Sequence, residues 1–256
     1  MKRLFQIVEN INVQSGFFQL RVKGHNMGEV WPGQFVMIRL PGQAEPILRR
    51  PFSICRYHKD GFEVLYQVKG VFTEKLSNCK PNDLLDVMGP LGNGFSLRIA
   101  PLYIVAGGIG VAPFVFFVEN LIRDRFNLEN VEFFLGAKTQ NDLLMIEFLS
   151  KLGVKIHIST DDGSIGEKGL ILDLVRNRSE IRFPMAIVAC GPEKMLKAVA
   201  AFCEKKQIRC EVSMEAYMAC GIGACLGCAI RSKVHPEKFN HVCQDGPVFD
   251  ATHLYW

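Results

Sequence analysis

The 256-residue chain has no run of like charges. Its 30 basic and 26 acidic side chains leave a formal net charge of only +4. Without a basic stripe there is no electrostatic footprint for nucleic acid, and none is expected as a partner. No secretory leader is visible, because Met1-Lys2-Arg3-Leu4-Phe5-Gln6 runs into a polar, strand-like segment instead of an apolar one. There are no internal repeats and no low-complexity tracts. A membrane span is also missing. The 17 uncharged residues Leu102–Val118 come near the required length, but Gly107, Gly108, Gly110 and Pro113 interrupt them. That stretch reads as a buried strand, a glycine loop and the start of a helix. No G-x-G-x-x-G fingerprint occurs, and only one C-x2-C pair is present.

What is present is cysteine. Nine cysteines in a chain without a leader point to a reducing compartment, so the expected location is cytoplasmic. Cys55, Cys79, Cys190, Cys203 and Cys210 are scattered and suit small buried positions. The other four form a pattern, Cys220-x4-Cys225-x2-Cys228, followed after fourteen intervening residues by Cys243. That is the plant-type spacing of a [2Fe–2S] cluster held by four thiolates. Gly221, Gly223 and Gly227 allow the tight backbone that brings three sulfurs together and aims N–H groups at them. Zinc also accepts four thiolates but usually takes two C-x2-C pairs, and disulfides are a further alternative.

Length and a 48% apolar composition allow two domains or slightly more, each with a core. Residues 1–98 read as β: short runs at Phe17–Lys23, Gln34–Leu40, Phe52–His58, Phe62–Lys69 and Leu84–Met88 alternate with turns, as in a small antiparallel barrel. Residues 99–213 alternate strand and helix. Strands are expected at Tyr103–Ala106, Val131–Leu135, Val154–Ser159, Met185–Cys190 and Ile208–Val212. Helices are expected after Pro113 and at Asp142–Leu149, Leu170–Arg176 and Glu193–Lys205. This predicts a five-stranded parallel sheet with helices on its faces. Residues 214–256 carry the cysteine loop.

Three further segments carry chemistry. Gly107-Gly108-Ile109-Gly110-Val111-Ala112-Pro113 joins a strand to a helix, where glycines admit a pyrophosphate and helix N–H groups meet it, although a glycine loop there also suits a plain tight turn. Cys190-Gly191-Pro192 ends a later strand on the same rim. Its thiol would face a nicotinamide or be ordinary core. Asp161 and Asp162 end the intervening strand, where a carboxylate suits a ribose hydroxyl and repels a 2′-phosphate, favouring NADH, or else serves its own turn. In the barrel, Arg49-Arg50-Pro51-Phe52-Ser53 offers cations for a phosphate and a ring to flank an aromatic system.

Taken in order, Arg50-Pro51-Phe52-Ser53, Gly89-Pro90-Leu91-Gly92, Gly107–Pro113 and Cys190-Gly191-Pro192 resemble the ferredoxin–NADP reductase superfamily over residues 1 to about 211. The loop Met214-Glu215-Ala216-Tyr217-Met218-Ala219-Cys220-Gly221-Ile222-Gly223-Ala224-Cys225 is similar to that of the electron transfer subunits of class 1B dihydroorotate dehydrogenases, along essentially the whole chain. That resemblance implies FAD on Arg50, Pro51, Phe52, Ser53, Gln67, Val68, Lys69, Phe72 and Thr73, with Phe72 where the family often has a glycine. It implies NAD(H) on Gly107, Gly108, Gly110, Asp162, Gly191 and Pro192, and catalytic roles for Cys190 and Glu215. Cys220, Cys225, Cys228 and Cys243 would be the cluster ligands. The implied partner is an FMN-containing catalytic subunit, two copies of each forming a heterotetramer. Flavin/iron–sulfur reductase subunits of sulfide dehydrogenase, transhydrogenase, sulfite reductase or hydrogenase type share the first two domains and are the alternative.

Overall fold

The computed structural model describes residues 3–14, 16–42, 45–178 and 185–256, so Met1 and Lys2 of the N-terminal segment lie outside the described residues. The first lobe contains β1 (Arg3–Gln14), β2 (Phe17–Lys23), β3 (Phe35–Arg39), β4 (Arg50–Ser53), β5 (Arg56–His58), β6 (Gly61–Gln67), α1 (Val71–Ser77) and β7 (Leu84–Leu91). Its seven strands run in the order β4-β3-β7-β1-β2-β6-β5, all antiparallel. The expected single strand Phe52–His58 is two strands, and they lie at opposite edges of this sheet. Only Ile54 and Cys55 join them, so Ser53 and Arg56 stand at most roughly 11 Å apart. The sheet must therefore curl until its edges meet. Ile54 N–H donates to Gln34 O at 3.0 Å on one side, and Cys55 N–H donates to Glu63 O at 2.8 Å on the other.

Two further elements complete this lobe, the strand into which the N-terminal segment was expected to run and a short helix that was not expected. The first is β1, a twelve-residue strand whose polar, irregular register carries shifts between Ile7 and Glu9 and between Asn12 and Gln14. The second is α1, where the Thr73 hydroxyl reaches back to accept from Lys69 N–H (2.9 Å) and Gly70 N–H (3.2 Å), while Phe72 and Leu76 bury one face.

The second lobe holds β8 (Leu102–Gly107), α2 (Ala112–Arg123), β9 (Val131–Ala137), α3 (Ile146–Lys151), β10 (Lys155–Thr160), β11 (Glu167–Lys168), α4 (Ile171–Arg178), β12 (Ala186–Cys190), α5 (Glu193–Lys206) and β13 (Arg209–Ser213). Leu102–Val118 thus becomes a fully buried strand, a turn and a helix, and among the described residues no helix is long and apolar enough to cross a membrane. Helix α3 begins later than the expected Asp142, because Thr139 and Asp142 close a separate capped turn and Met145 sits at φ 63° before the helix.

Strands β8 and β12 are buried along their whole length, as parallel strands covered on both faces should be. Each large side chain fully buried there contributes about 1.5–3 kcal/mol. The sheet order is β11-β10-β9-β8-β12-β13-β16, seven strands where five were expected. The last, β16 (Val248–Asp250), comes from the cysteine segment and pairs antiparallel with β13, Phe249 opposite Val212. The remainder of that segment forms a small hairpin of β14 (Ala229–Arg231) and β15 (Phe239–His241).

Candidate functional site: a cleft between the lobes and a cysteine loop

The chain runs from β8 outward to β9 and β10 on one side, and from β12 to β13 on the other. The order therefore reverses between β8 and β12, and the crevice at their carboxyl ends is where such sheets bind ligands. The two expected loops meet there, backbone against backbone. A Cβ on Gly110 would stand 2.3 Å from Cys190 O, and one on Gly191 would stand 2.9 Å from Gly107 N. Gly107 is equally confined, with Met195 Sδ and Pro192 Cδ each 2.8 Å from where its Cβ would be.

Facing this crevice is the barrel. The cleft between them has a volume of ≈ 630 Å³, part of it open to solvent, and is lined by Pro51, Phe52, Ser53, Leu65, Tyr66, Gln67 and Lys69 from the barrel side. Ile109, Gly110, Ala112, Pro113, Cys190 and Glu215 line the other. A cleft with aromatic walls and a few polar groups suits a cofactor ring system.

Of the expected flavin residues, Pro51, Phe52, Ser53, Gln67 and Lys69 come together in this cleft. Arg50, Val68, Phe72 and Thr73 do not line it. Arg50 sits on β4 one residue from Pro51, and its Nη1 donates to Leu48 O at 2.9 Å. Val68 lies between two cleft residues and packs on the barrel core. Phe72 is buried, its ring 6.0 Å from that of Phe52, so it backs the wall without forming it. The Thr73 hydroxyl is occupied at the start of α1. Gly107, Gly108, Gly191 and Pro192 build the rim behind Gly110. Asp162 stands farther out, after β10, and its carboxylate accepts from Ser164 N–H (2.9 Å) and Ser164 Oγ–H (2.7 Å) in its own turn.

The sequence reading missed Tyr66. Its hydroxyl donates to Asn10 Oδ1 at 2.9 Å, and Asn10 Nδ2 donates to Leu76 O (2.8 Å) and Cys79 O (3.2 Å), tying the cleft floor to the end of α1. Its position on β6 beside Gln67 is the only signal the sequence offered, because the partner residue lies 56 positions away.

Cys190 is buried, and burial together with the nearby Glu215 carboxylate pushes its thiol up to about 12, against a smaller opposing hydrogen bond from Ser213. It is a protonated thiol at neutral pH. Glu215 is exposed and precedes the cysteine loop by five residues.

The four clustered cysteines are set out as two pairs. Ile222 N–H and Cys225 N–H both donate to Cys220 Sγ at 3.4 Å. The first of these bonds leads in holding the Cys220 thiol down at about 6, as a metal-bound thiolate needs. Cys228 Sγ lies 3.3 Å from Cys243 Sγ, which also accepts from Gly223 N–H at 3.1 Å. The cysteines are free thiols, and a 3.3 Å separation is not a disulfide. Among the described residues no three Cys, His, Asp or Glu side chains group as a single-ion site requires. Two cysteine pairs, with amides aimed at Cys220 and Cys243, are a donor set that fits a two-iron cluster once deprotonated.

Family models match in three consecutive stretches: an oxidoreductase FAD-binding domain over residues 5–95, an oxidoreductase NAD-binding domain over 104–201, and the iron–sulfur cluster binding domain of dihydroorotate dehydrogenase B over 215–255. The dihydroorotate dehydrogenase B (NAD(+)) electron transfer subunit of Clostridium acetobutylicum is 39% identical over 251 residues, 97% of this chain and 95% of that protein. The chain belongs to the family of dihydroorotate dehydrogenase B electron transfer subunits. Another member, from a Geobacillus species, is 36% identical over 252 residues, 96% of this chain and 95% of its own. Among solved structures, an NADH-dependent reduced ferredoxin–NADP oxidoreductase studied for flavin-based electron bifurcation is 27% identical, with a TM-score of 0.84 over 98% of this chain and 90% of that one. The FAD/NAD-binding domain of a Vibrio cholerae nitric oxide dioxygenase shares the fold at 14% identity, with a TM-score of 0.70 over 82% of this chain and 98% of that one. As a member of this family the chain is an oxidoreductase subunit that uses FAD, NAD(H) and a [2Fe–2S] cluster, and it works with a partner catalytic subunit.

Proposed function

We propose that the protein relays electrons between NAD(H) and the FMN-containing catalytic subunit of a dihydroorotate dehydrogenase in pyrimidine synthesis. It does so in the cytoplasm, within a heterotetramer of two copies of each subunit. In that pathway the net flow runs from dihydroorotate to NAD+. The observation that carries this reading is the cleft. Barrel residues Pro51, Phe52, Ser53, Gln67 and Lys69 face Gly110, Cys190 and Glu215 across it, and Glu215 leads directly into the cluster loop. FAD, when bound, supplies the exchange between two-electron hydride chemistry and one-electron transfer.

The chain's own residues position and tune. Phe52 and Tyr66 give an apolar wall, and Ser53, Gln67 and Lys69 set polar groups at its edge. The glycines of the β8 and β12 loops let a dinucleotide approach the backbone at the switch point. Cys190 presents a neutral S–H and Glu215 a carboxylate where the nicotinamide would enter. Cys220, Cys225, Cys228 and Cys243 hold the cluster, and the loop amides donate to sulfur and set its potential.

The test is reconstitution. Purified protein mixed with the FMN-containing subunit should form a complex that reduces NAD+ when dihydroorotate is added. Failure to form the complex, or a complex that moves no electrons from dihydroorotate, would refute the assignment.

A further inference from the structure

Strand β3 is buried along Phe35, Val36, Met37 and Ile38, unlike a strand with one face in water. Alternation explains why. Val36 and Ile38 point into the barrel core, whereas Phe35 and Met37 belong to the core that holds Cys228, Val242 and Cys243. The outer face of the barrel is therefore the floor of the cysteine segment. Met37 is 0% exposed, and it lies directly beneath the loop. A Cβ on Gly221, next to Cys220, would stand 2.8 Å from Met37 Cγ and 3.3 Å from Met88 Cε. Gly221 has φ +74°, which favours glycine, so both its conformation and its lack of a side chain let the loop settle onto Met37. In register, Met37 faces Met88 on one neighbour and Pro51 on the other, and Pro51 lines the cleft.

A second seam fixes the same lobes. Asn93 N–H donates to Gly246 O at 2.6 Å, and Asn93 Nδ2 donates to Asp245 O at 2.9 Å. Gly92 is held so close that a Cβ there would lie 2.5 Å from Gly246 O. Gln34 Nε2 in turn donates to Gly92 O at 2.7 Å. The segment carrying Cys243 is thus pinned at one side, and Met37 sets its height at the other.

We propose that Met37 is a positioning residue for electron exchange between the flavin cleft and the cluster, because its side chain sets how closely the Cys220–Gly221 backbone approaches Pro51. This rests on the relay reading above. The step would make and break no bond at Met37: a reduced flavin would pass one electron to the cluster, one ferric iron becoming ferrous, and the second electron would follow only after the partner subunit had reoxidised the cluster. Met37 acts only through packing density and distance.

The test is rapid-mixing spectroscopy of the holoprotein with NADH under anaerobic conditions, following flavin bleaching and cluster bleaching separately. Flavin and iron content serve as the check on folding. Displacements of about 1 Å at a reacting geometry cost up to about a hundredfold in rate. In Met37→Ala, cluster bleaching should slow by roughly tenfold relative to flavin bleaching, and Met37→Leu should recover most of the loss. The cluster's midpoint potential and electron paramagnetic resonance spectrum should stay unchanged. Gly221→Ala, which pushes on the same contact from above, should slow the same step and decides the matter if Met37→Ala loses its cluster. Wild-type cluster bleaching in Gly221→Ala and in a cluster-bearing Met37→Ala would overturn the proposal, as would a slowing that tracks a shifted potential. A wild-type cluster that NADH never reduces would instead refute the relay itself.

Discussion

Cys228 Sγ and Cys243 Sγ lie 3.3 Å apart, both buried, although fourteen residues intervene between them. The hairpin of β14 and β15 closes that gap, with Ala229 opposite His241. The other pair, Cys220 and Cys225, stands at the surface side of the loop, with Cys225 exposed. On the proposed reading, one pair would anchor the cluster in the core and the other would present it.

Cys225→Ser should therefore lose the visible absorbance and iron of the cluster while the protein stays folded. NADH-driven reduction of an artificial flavin acceptor should continue, and transfer to the partner subunit should stop. Loss of the dye reaction with FAD still bound would reverse the order of carriers.

Cys190 should behave unlike the loop cysteines. With its thiol pushed up to about 12 by burial and the Glu215 charge, it is un-ionised at pH 8. Native holoprotein treated with iodoacetamide at that pH should show no label on Cys190 by mass spectrometry. Cys190→Ala should keep FAD and the cluster but slow flavin reduction by NADH by roughly 10²-fold or more, the usual scale for a group acting on proton placement. Rapid labelling would disprove the protonated buried thiol.

Acid should loosen the barrel at Asp86. Burial opposes its charge, but hydrogen bonds from Arg49 (2.8 Å) and Arg39 (2.7 Å) outweigh burial and hold the carboxyl below its ordinary range. A group whose folded pKa is depressed contributes stability above its unfolded value, near 3.8, and loses it as pH falls through the folded value. Wild-type protein should thus lose stability below about pH 4. Asp86→Asn should be less stable by about 3 kcal/mol at pH 7, since two half-buried arginines lose their counter-charge. Its stability should also fall less steeply in acid, as denaturant titrations across pH would show.

Nucleotide choice tests Asp162. A like charge a few ångströms from a 2′-phosphate costs about 1 kcal/mol in water and more at a protein surface. The protein should prefer NADH, and Asp162→Ser should narrow that preference by roughly tenfold in kcat/KM. A variant indistinguishable from the wild type would leave the carboxylate with only its turn to Ser164.

The parts of this architecture that were legible in sequence are those whose cause is local. Phe17–Lys23 matches β2 residue for residue because both ends carry turn signals. The glycine loop after β8 follows from spacing alone. What escaped depended on distant chain. Asn10 on β1 serves Tyr66, Leu76 and Cys79 through hydrogen bonds to distant chain that no local pattern records. The break at Ile54–Cys55 exists because the sheet curls, and no hydrophobic period records curling. Val68 was expected in the cleft because a contiguous triplet was carried over, whereas it follows the end of β6 and packs on the barrel core.

The pairing of Phe249 with Val212 has a consequence for how the protein is made. Strand β13 is left with one open edge of unpaired N–H and C=O groups until Val248–Asp250 have been made, and such edges invite mispairing. Cys243 emerges only a few residues earlier. Completion of the nucleotide-binding sheet and delivery of the fourth thiolate therefore fall at the same moment of synthesis. A chain cut short before Cys243 forfeits both at once, whereas one cut between 243 and 248 keeps the thiol but leaves β13 unpaired.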